Sequence, residues 1–203
     1  MIIRIEELSS VHNGEGVSLS ISLSSGENSE ARCIVISVQA YIDMGKPSPG
    51  IVLDEGRFEE LEEEAQIYDC IRRGLYLLSY GDNIRAQLAR KLVEKGYSRE
   101  HAALAAKRLY KLGYINEGEQ ARRKILYLAN KKLYGRRRIV SELYAGGYPR
   151  EIISAGFAEC EGEIDYDENK RRLLERKFGA AVPRPENRAE YEKIRGFLYR
   201  YGY

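Results

Sequence analysis

The residues of this chain that could do chemistry are few and far apart. Of the two histidines, His12 lies in a glycine-flanked loop and His101 in a helical stretch, and neither stands beside a Ser or Cys motif. A nucleophilic triad needs a nucleophile and an oriented base within hydrogen-bond reach, so this pattern gives it no support. No GxxxxGK[ST] loop, GxGxxG fingerprint or HExxH pair occurs, which removes the minimum parts of a nucleotide or zinc-hydrolase site. In the acidic run Glu161 to Lys170, Asp165, Asp167 and Asn169 alternate as in a calcium loop. Lys170 stands at the sixth position, where the sharp turn of such a loop needs Gly. The run reads instead as an exposed acidic linker. Cys33, Cys70 and Cys160 form an odd set without a CxxC pair, which suggests buried reduced thiols rather than a disulfide framework or a zinc site. The expectation is a protein that is not an enzyme and needs no metal or cofactor.

The positive signal is basic. Between Cys70 and Arg150 there are 19 Lys and Arg against 6 Asp and Glu. The densest clusters are Arg122, Arg123 and Lys124, then Lys131 and Lys132, then Arg136, Arg137 and Arg138. Ala121, Ile125, Leu128 and Ala129 form the apolar stripe of one helix, so the cations beside them point outward. The last cluster falls in the first turn of the next helix, where the macrodipole disfavours each cation by about 0.3–1 kcal/mol. Something anionic is expected to offset this, and a helix start with guanidinium forks suits a phosphate or a carboxylate cluster. The bland alternative is local pairing with Glu119, Glu142 or solvent. These eight residues are the expected contacts to a partner protein or DNA. Sixteen tyrosines and no Trp also fit base stacking. Tyr97, Tyr114, Tyr148 and Tyr203 hold repeated positions and read as structural, which leaves Tyr127, Tyr134 and Tyr144 as possible contacts.

The elements that must position these residues fall into two kinds. Val17, Leu19, Ile21 and Leu23 alternate with Ser18, Ser20 and Ser22, the period of a half-buried strand. Ile2–Leu8 and Arg32–Val38 are its β-rich neighbours, with turns at 12–16 and 24–28, and Gly45–Gly50 reads as the exit from a small antiparallel unit. From about Glu59 the spacing is helical. Leu88, Leu92, Gly96, Tyr97, Arg99 and Glu100 recur at an offset of 51 as Ile139, Leu143, Gly147, Tyr148, Arg150 and Glu151. A further offset of 55 gives Ile194, Leu198, Gly202 and Tyr203. Each Gly can close a helix in the left-handed conformation, with Ser98 and Pro149 starting the next. Helices are expected near 59–79, 83–95 and 99–112, then 117–133, 136–146 and 150–160, then 166–178 and 187–201. The fold class is therefore mainly α, with tandem three-helix repeats in a curved array after a β-rich N-terminal unit. The boundaries are 1–56 for the acidic β-rich unit, 57–114 for repeat one, 115–160 for repeat two, and 161–203 for repeat three, which lacks its last helix.

Composition agrees with this division. Residues 1–64 hold 4 Lys and Arg against 13 Asp and Glu, whereas 65–203 hold 29 against 18, inside a net charge of +2 for 203 residues. An acidic head on a basic body implies a partner that carries negative charge. The mean hydropathy of -0.49 and the 32% of charged residues fit a soluble globular protein with much solvated helix surface. No apolar run is long enough to span a membrane, and the N-terminal residues Met1–Ser10 carry acids where a signal peptide has its apolar stretch. A cytoplasmic monomer is expected.

The run from Leu77 through Ala121, followed by Leu133 to Ile153, resembles the RecX family of bacterial regulatory proteins, over nearly the whole chain. The family order is a helix ending Leu-x-x-Lys-Gly-Tyr, a helix ending Leu-Gly-Tyr, then an Asn/Asp-rich helix start. Here these are Leu92–Tyr97, Leu112–Tyr114 and Asn116–Ala121. The family's basic Gly-x-x-x-Ile start survives as Gly135–Ile139, whereas its Arg-x-Arg-Ser cap in repeat one is replaced by Gly81, Asp82, Asn83 and Ile84. Family members normally continue past the last Gly-Tyr. The resemblance implies a modulator that lies in the helical groove of the RecA filament on single-stranded DNA and limits filament extension, ATP hydrolysis and strand exchange. Two other readings stay open. One is a direct DNA-binding regulator that acts without RecA; the other is a metal-dependent nuclease built on Asp165 and Asp167.

Overall fold

The computed structural model describes residues 2–25, 28–180 and 185–203. The chain divides into two compact units, one of residues 1–81 and 88–114, the other of residues 82–87 and 115–203.

The first unit begins with strands β1 (Ile2–Val11), β2 (Gly16–Ser25) and β3 (Asn28–Ser37), paired antiparallel in sequence. Leu19, Ile21 and Leu23 point into the core and the serines between them point away, as the period of two requires. β1 carries a bulge between Ile5 and Glu7. The extra residue shifts the alternation, so Leu8 rather than Glu7 follows Ile3 and Ile5 onto the core face. The expected turn at 24–28 has its tip, Gly26 and Glu27, outside the described residues. Two elements extend the expected unit. Ser37 ends β3 by accepting a hydrogen bond from the Ala40 amide, which starts helix α1 (Val38–Asp43). After the 45–50 turn, β4 (Val52–Leu53) pairs with β1, giving the order β3-β2-β1-β4.

Asp54 then caps α2 (Glu55–Ser79), taking the Arg57 amide at 2.8 Å. Phe58 and Leu61 on its first half complete the core of the sheet, and its second half packs on α4 (Arg99–Lys111). Gly74 sits at that crossing, where an added Cβ would lie 2.6 Å from Leu109 Cδ1. Gly74→Val is therefore expected to lower stability by about 1–3 kcal/mol in urea unfolding, the usual cost of overpacking. Between α2 and α4 runs α3 (Arg85–Glu94), whose Leu88 and Leu92 are fully buried.

The second unit contains α5 (Glu117–Leu126), α6 (Arg136–Ala145), α7 (Arg150–Glu159), α8 (Tyr166–Phe178) and α9 (Arg188–Tyr201). A π-helical turn, Tyr127–Lys131, follows α5. The expected stripe of Ala121, Ile125, Leu128 and Ala129 is buried with Ile139, Leu143, Ile153 and Phe157. α8 and α9 share a smaller cluster around Leu133, Leu173 and Phe197. Asp165, from the acidic run, caps α8 through the Glu168 amide.

The Gly-Tyr repeat is a repeat of backbone geometry. Gly96, Gly147 and Gly202 have φ of 98°, 90° and 92°, and the following tyrosine amides reach back to the carbonyls of Leu92, Leu143 and Leu198 at 3.3, 3.1 and 3.1 Å. This is the six-to-one closure of a Schellman stop. Ser98 caps α4 as expected, whereas Pro149 stands at the N-cap of α7 rather than inside its first turn. Two readings are corrected. Tyr114 makes the same backbone closure but its side chain is exposed, at the lining of a cleft. Cys33 is exposed on the outer face of β3, opposite the face of the buried Ile34 and Ile36, while Cys70 and Cys160 are buried.

Candidate functional site

The basic helix start meets a partner inside the chain. The last turn of α9 ends against the first turn of α6. The Gly135 amide donates to the Tyr201 carbonyl at 2.7 Å, Arg137 Nη2 to the Tyr199 carbonyl at 2.6 Å, and Arg138 Nη1 to the Arg200 carbonyl at 2.9 Å. The Arg137 guanidinium lies 3.8 Å over the Tyr199 ring, and that of Arg138 lies 3.9 Å over Tyr134, with Glu142 at 3.6 Å from its Nε. The negative end of one helix dipole thus faces the positive end of another, and the arginines bind the orphan carbonyls that every helix end leaves. The negative partner that the sequence asks for is, for Arg137 and Arg138, the end of α9, with Glu142 beside Arg138, whereas Arg136 stacks on Phe157.

The same joint occurs once more. Gln87, which corresponds to Arg138 at the offset of 51, donates from Nε2 to the Gly146 carbonyl at 2.8 Å. The end of α6 thereby rests on the start of α3. Glu117 completes that start: it accepts from the Arg85 amide at 2.8 Å, from Nε at 3.0 Å and from Nη2 at 2.7 Å, and is only 2% exposed. Burial pushes its carboxyl up, but the three Arg85 interactions outweigh this and hold it below its ordinary value of 4.5. Sequence reasoning missed this buried pair. Its one local signal is an acid in a helix first turn after the Asn116 cap.

The other expected contact residues stand on α5 and its π-helical end. Arg122 pairs with Glu163 at 2.8 Å, and Arg123 pairs with Asp82. Lys124 lies 5.3 Å over the Tyr148 ring and Arg136 4.3 Å over Phe157. Lys131 and Lys132 are exposed, and Lys132 sits 5.6 Å over the half-exposed ring of Tyr127. Tyr144 is also half exposed, whereas Tyr134 is enclosed between Arg138 and Tyr201. Among the described residues, Lys131, Lys132, Arg136 and Arg137 are thus the exposed members of the set that form no ion pair, and Arg137 is held by the Tyr199 carbonyl.

Elsewhere the chemistry is sparse. His12 Nδ1 lies 3.0 Å from the Tyr68 hydroxyl, a contact that pins the β1–β2 turn to α2. A cleft of about 910 Å³ in the first unit is lined by Met44, Leu53, Leu75 and Leu112 and includes the Glu64–Arg108 pair, so its rim carries both signs of charge. Among the described residues no group of three His, Cys, Asp or Glu side chains is placed to hold a metal ion, and no helix is long and apolar enough to cross a membrane.

No family model matches the chain. A regulatory protein RecX from Trichlorobacter lovleyi is 31% identical over 135 residues, which are 66% of this chain and 88% of that protein. The chain belongs to the RecX family. RecX proteins from Stenotrophomonas maltophilia and Cronobacter sakazakii are each 32% identical, over 66% and 64% of this chain and 78% and 82% of their own. The crystal structure of a regulatory protein RecX matches 99% of this chain and 94% of its own, with a TM-score of 0.74 and 18% identity. RecX from Lactobacillus salivarius matches 68% of this chain and 88% of its own, with a TM-score of 0.56 and 19% identity. The mainly helical repeat fold with a strand-rich start is therefore a RecX fold.

Proposed function

We propose that this chain is a non-enzymatic modulator of the RecA filament on single-stranded DNA, and that it acts as a monomer in the cytoplasm. It lies along the filament groove, bridges protomers, and limits filament extension, ATP hydrolysis and strand exchange. The observation that carries the reading is the match to regulatory protein RecX over most of that protein's length. Repeat two supports it physically, because tandem helical units present an extended surface and this one is basic. Lys131, Lys132 and Arg123 are the proposed contacts. Lys124, Arg122 and Arg136 flank them, and Arg137 and Arg138 act by holding α9. A second reading, direct DNA binding without RecA, is favoured by the exposed Lys132–Tyr127 pair, since a cation beside an aromatic face suits an unstacked base.

The test is single-stranded-DNA-dependent ATP hydrolysis by RecA with sub-stoichiometric amounts of the chain, with DNA binding by the chain alone followed at the same salt. Loss of hydrolysis at amounts too small to coat the DNA is the expected result. The double variant Lys131→Glu/Lys132→Glu should need about tenfold more protein for the same inhibition, with an unchanged melting temperature, since two rim charges reverse sign without touching the core. Unchanged hydrolysis with tight DNA binding, falling steeply as salt rises, would move the assignment to the second reading.

A further inference from the structure

The last turns of α2 hold a group of side chains that the core of the first unit does not use. Tyr76 is 49% exposed and Tyr80 is 74% exposed. Arg73, Tyr76 and Tyr80 follow one another at spacings of three and four, so they share one stripe of the helix. The Arg73 guanidinium lies 4.9 Å from the centre of the Tyr76 ring. The Tyr76 and Tyr80 rings meet edge to face with centres 4.9 Å apart, and the Tyr80 hydroxyl donates to that of Tyr76 at 2.8 Å. An exposed ring at a helix end ordinarily turns between rotamers. Tyr80 is instead held at its edge and at its hydroxyl, while most of its surface stays in water.

Beside this ladder lies a surface pocket of about 410 Å³, lined by Asp69, Arg72, Arg73, Tyr76, Lys95 and Tyr97. The carboxylate among them is engaged, since the Tyr97 hydroxyl donates to Asp69 Oδ2 at 2.6 Å. Among the described residues, Arg72, Arg73 and Lys95 form no ion pair. The pocket therefore joins three uncompensated cations to a fixed aromatic platform, and none of its six lining side chains is aliphatic.

We infer that this surface binds single-stranded nucleic acid, with an unpaired base stacked on Tyr80 and the adjoining phosphates held by Arg73, Arg72 and Lys95. Aromatic faces beside cations take a strand of any sequence, because every base has a π-face and every linkage a negative charge. A duplex keeps its base faces inside the stack, so the exposed ring selects single strands. A protein partner fits less well, since the anchors of protein interfaces sit in apolar pockets, and this pocket is charged. Strand binding is thereby placed on the first unit, on residues other than Lys131, Lys132 and Tyr127. It needs no RecA, so this inference and the RecA reading can each fail alone.

The measurement is binding of a fluorescent oligothymidylate by the full chain without RecA, followed by anisotropy at a series of salt concentrations, with a duplex of the same length in parallel. Tyr80→Leu should weaken strand binding about tenfold, the loss of one stacked base, and leave duplex binding unchanged. Tyr80→Phe, which keeps the π-face, should retain most of the affinity. Both variants should melt at the temperature of the native chain, because the ring lies mostly in solvent. Lys95→Gln should weaken binding about threefold and flatten the plot of log K against log salt by about 0.7, the share of one phosphate on a single strand, whereas Tyr80→Leu should leave that slope alone. Ultraviolet crosslinks from thymidylate should map to Tyr76 or Tyr80, and should persist in Lys131→Glu/Lys132→Glu. Strand affinity indifferent to Tyr80→Leu, an equal loss for duplex, or crosslinks found only outside residues 72–80 would overturn the inference. So would a Tyr80→Leu chain that binds the strand normally but no longer inhibits RecA, which would make this surface a protein contact.

Discussion

Replacing Glu117 by Ala is expected to lower the stability of the chain by about 2–4 kcal/mol in urea unfolding, a large loss for a single polar substitution. The carboxylate lies buried at the start of α5 and satisfies three donors of Arg85, one of them the first amide of α3. Its removal orphans that amide and leaves the guanidinium without its fork. Arg85 is itself 38% exposed, so water recovers part of the loss, and the figure stays below that of a fully enclosed pair. Glu117→Gln keeps the shape and one acceptor oxygen and should cost about half as much. The pH dependence gives a second reading. Since the folded carboxyl titrates below 4.5, its contribution is complete above that value and fades as pH falls through the folded pKa. The gap between the native chain and Glu117→Gln should hold steady from neutral pH down to about 5 and narrow below about 4.5. A constant gap to low pH would mean that charge has no part in the effect.

Gly135→Val should release α9 from the second unit. A Cβ at Gly135 would press on the Gly202 carbonyl and lie 2.9 Å from the Tyr203 nitrogen, and both are backbone that no side-chain rotation can move aside. The joint must open or the helix must shift, at a cost of about 1–3 kcal/mol. Opening breaks the bonds of Gly135, Arg137 and Arg138 together, because all three converge on one helix end. The expected result is selective: proteolysis within residues 188–203 quickens by about tenfold or more, the arithmetic of about 1.4 kcal/mol in a local opening equilibrium, while the α5–α7 core keeps its hydrogen-exchange protection. Simultaneous loss of protection throughout the unit would show that α9 is integral to the core. The joint also limits what charge reversal of Arg136, Arg137 and Arg138 can report, since two of the three hold α9 in place.

Legibility in the sequence followed the range of the interaction. The positions of α2 to α9 could be read because helix periodicity, Ser, Asn and Asp caps and left-handed glycines are settled within a few residues. α1 was hidden by its length of six residues and by Ile34 and Ile36, which continue the strand pattern up to its Ser37 cap. β4 is two residues whose strand character comes from pairing with β1, some fifty positions away. The basic residues were legible as a set, but not their separate uses. Arg137 and Arg138 find their acceptors 62 positions along the chain, Arg122 and Arg123 find theirs 41 positions away, and Lys131 and Lys132 simply face outward. The bland alternative at Arg138 was half right, since Glu142 lies beside it.

The division between the two units runs through α3: its first turn, with Asp82–Ile84, belongs to the second unit and its remainder to the first. A sequence repeat is thus not an excisable module. A fragment that ends at Tyr114 would carry the start of α3 stripped of Glu117 and Gly146, and a fragment that begins at Ile115 would leave those residues with nothing to hold. For anyone dissecting this protein into pieces, the safer cut follows function rather than the repeat boundary. Point substitutions in the full chain will report more faithfully than truncations.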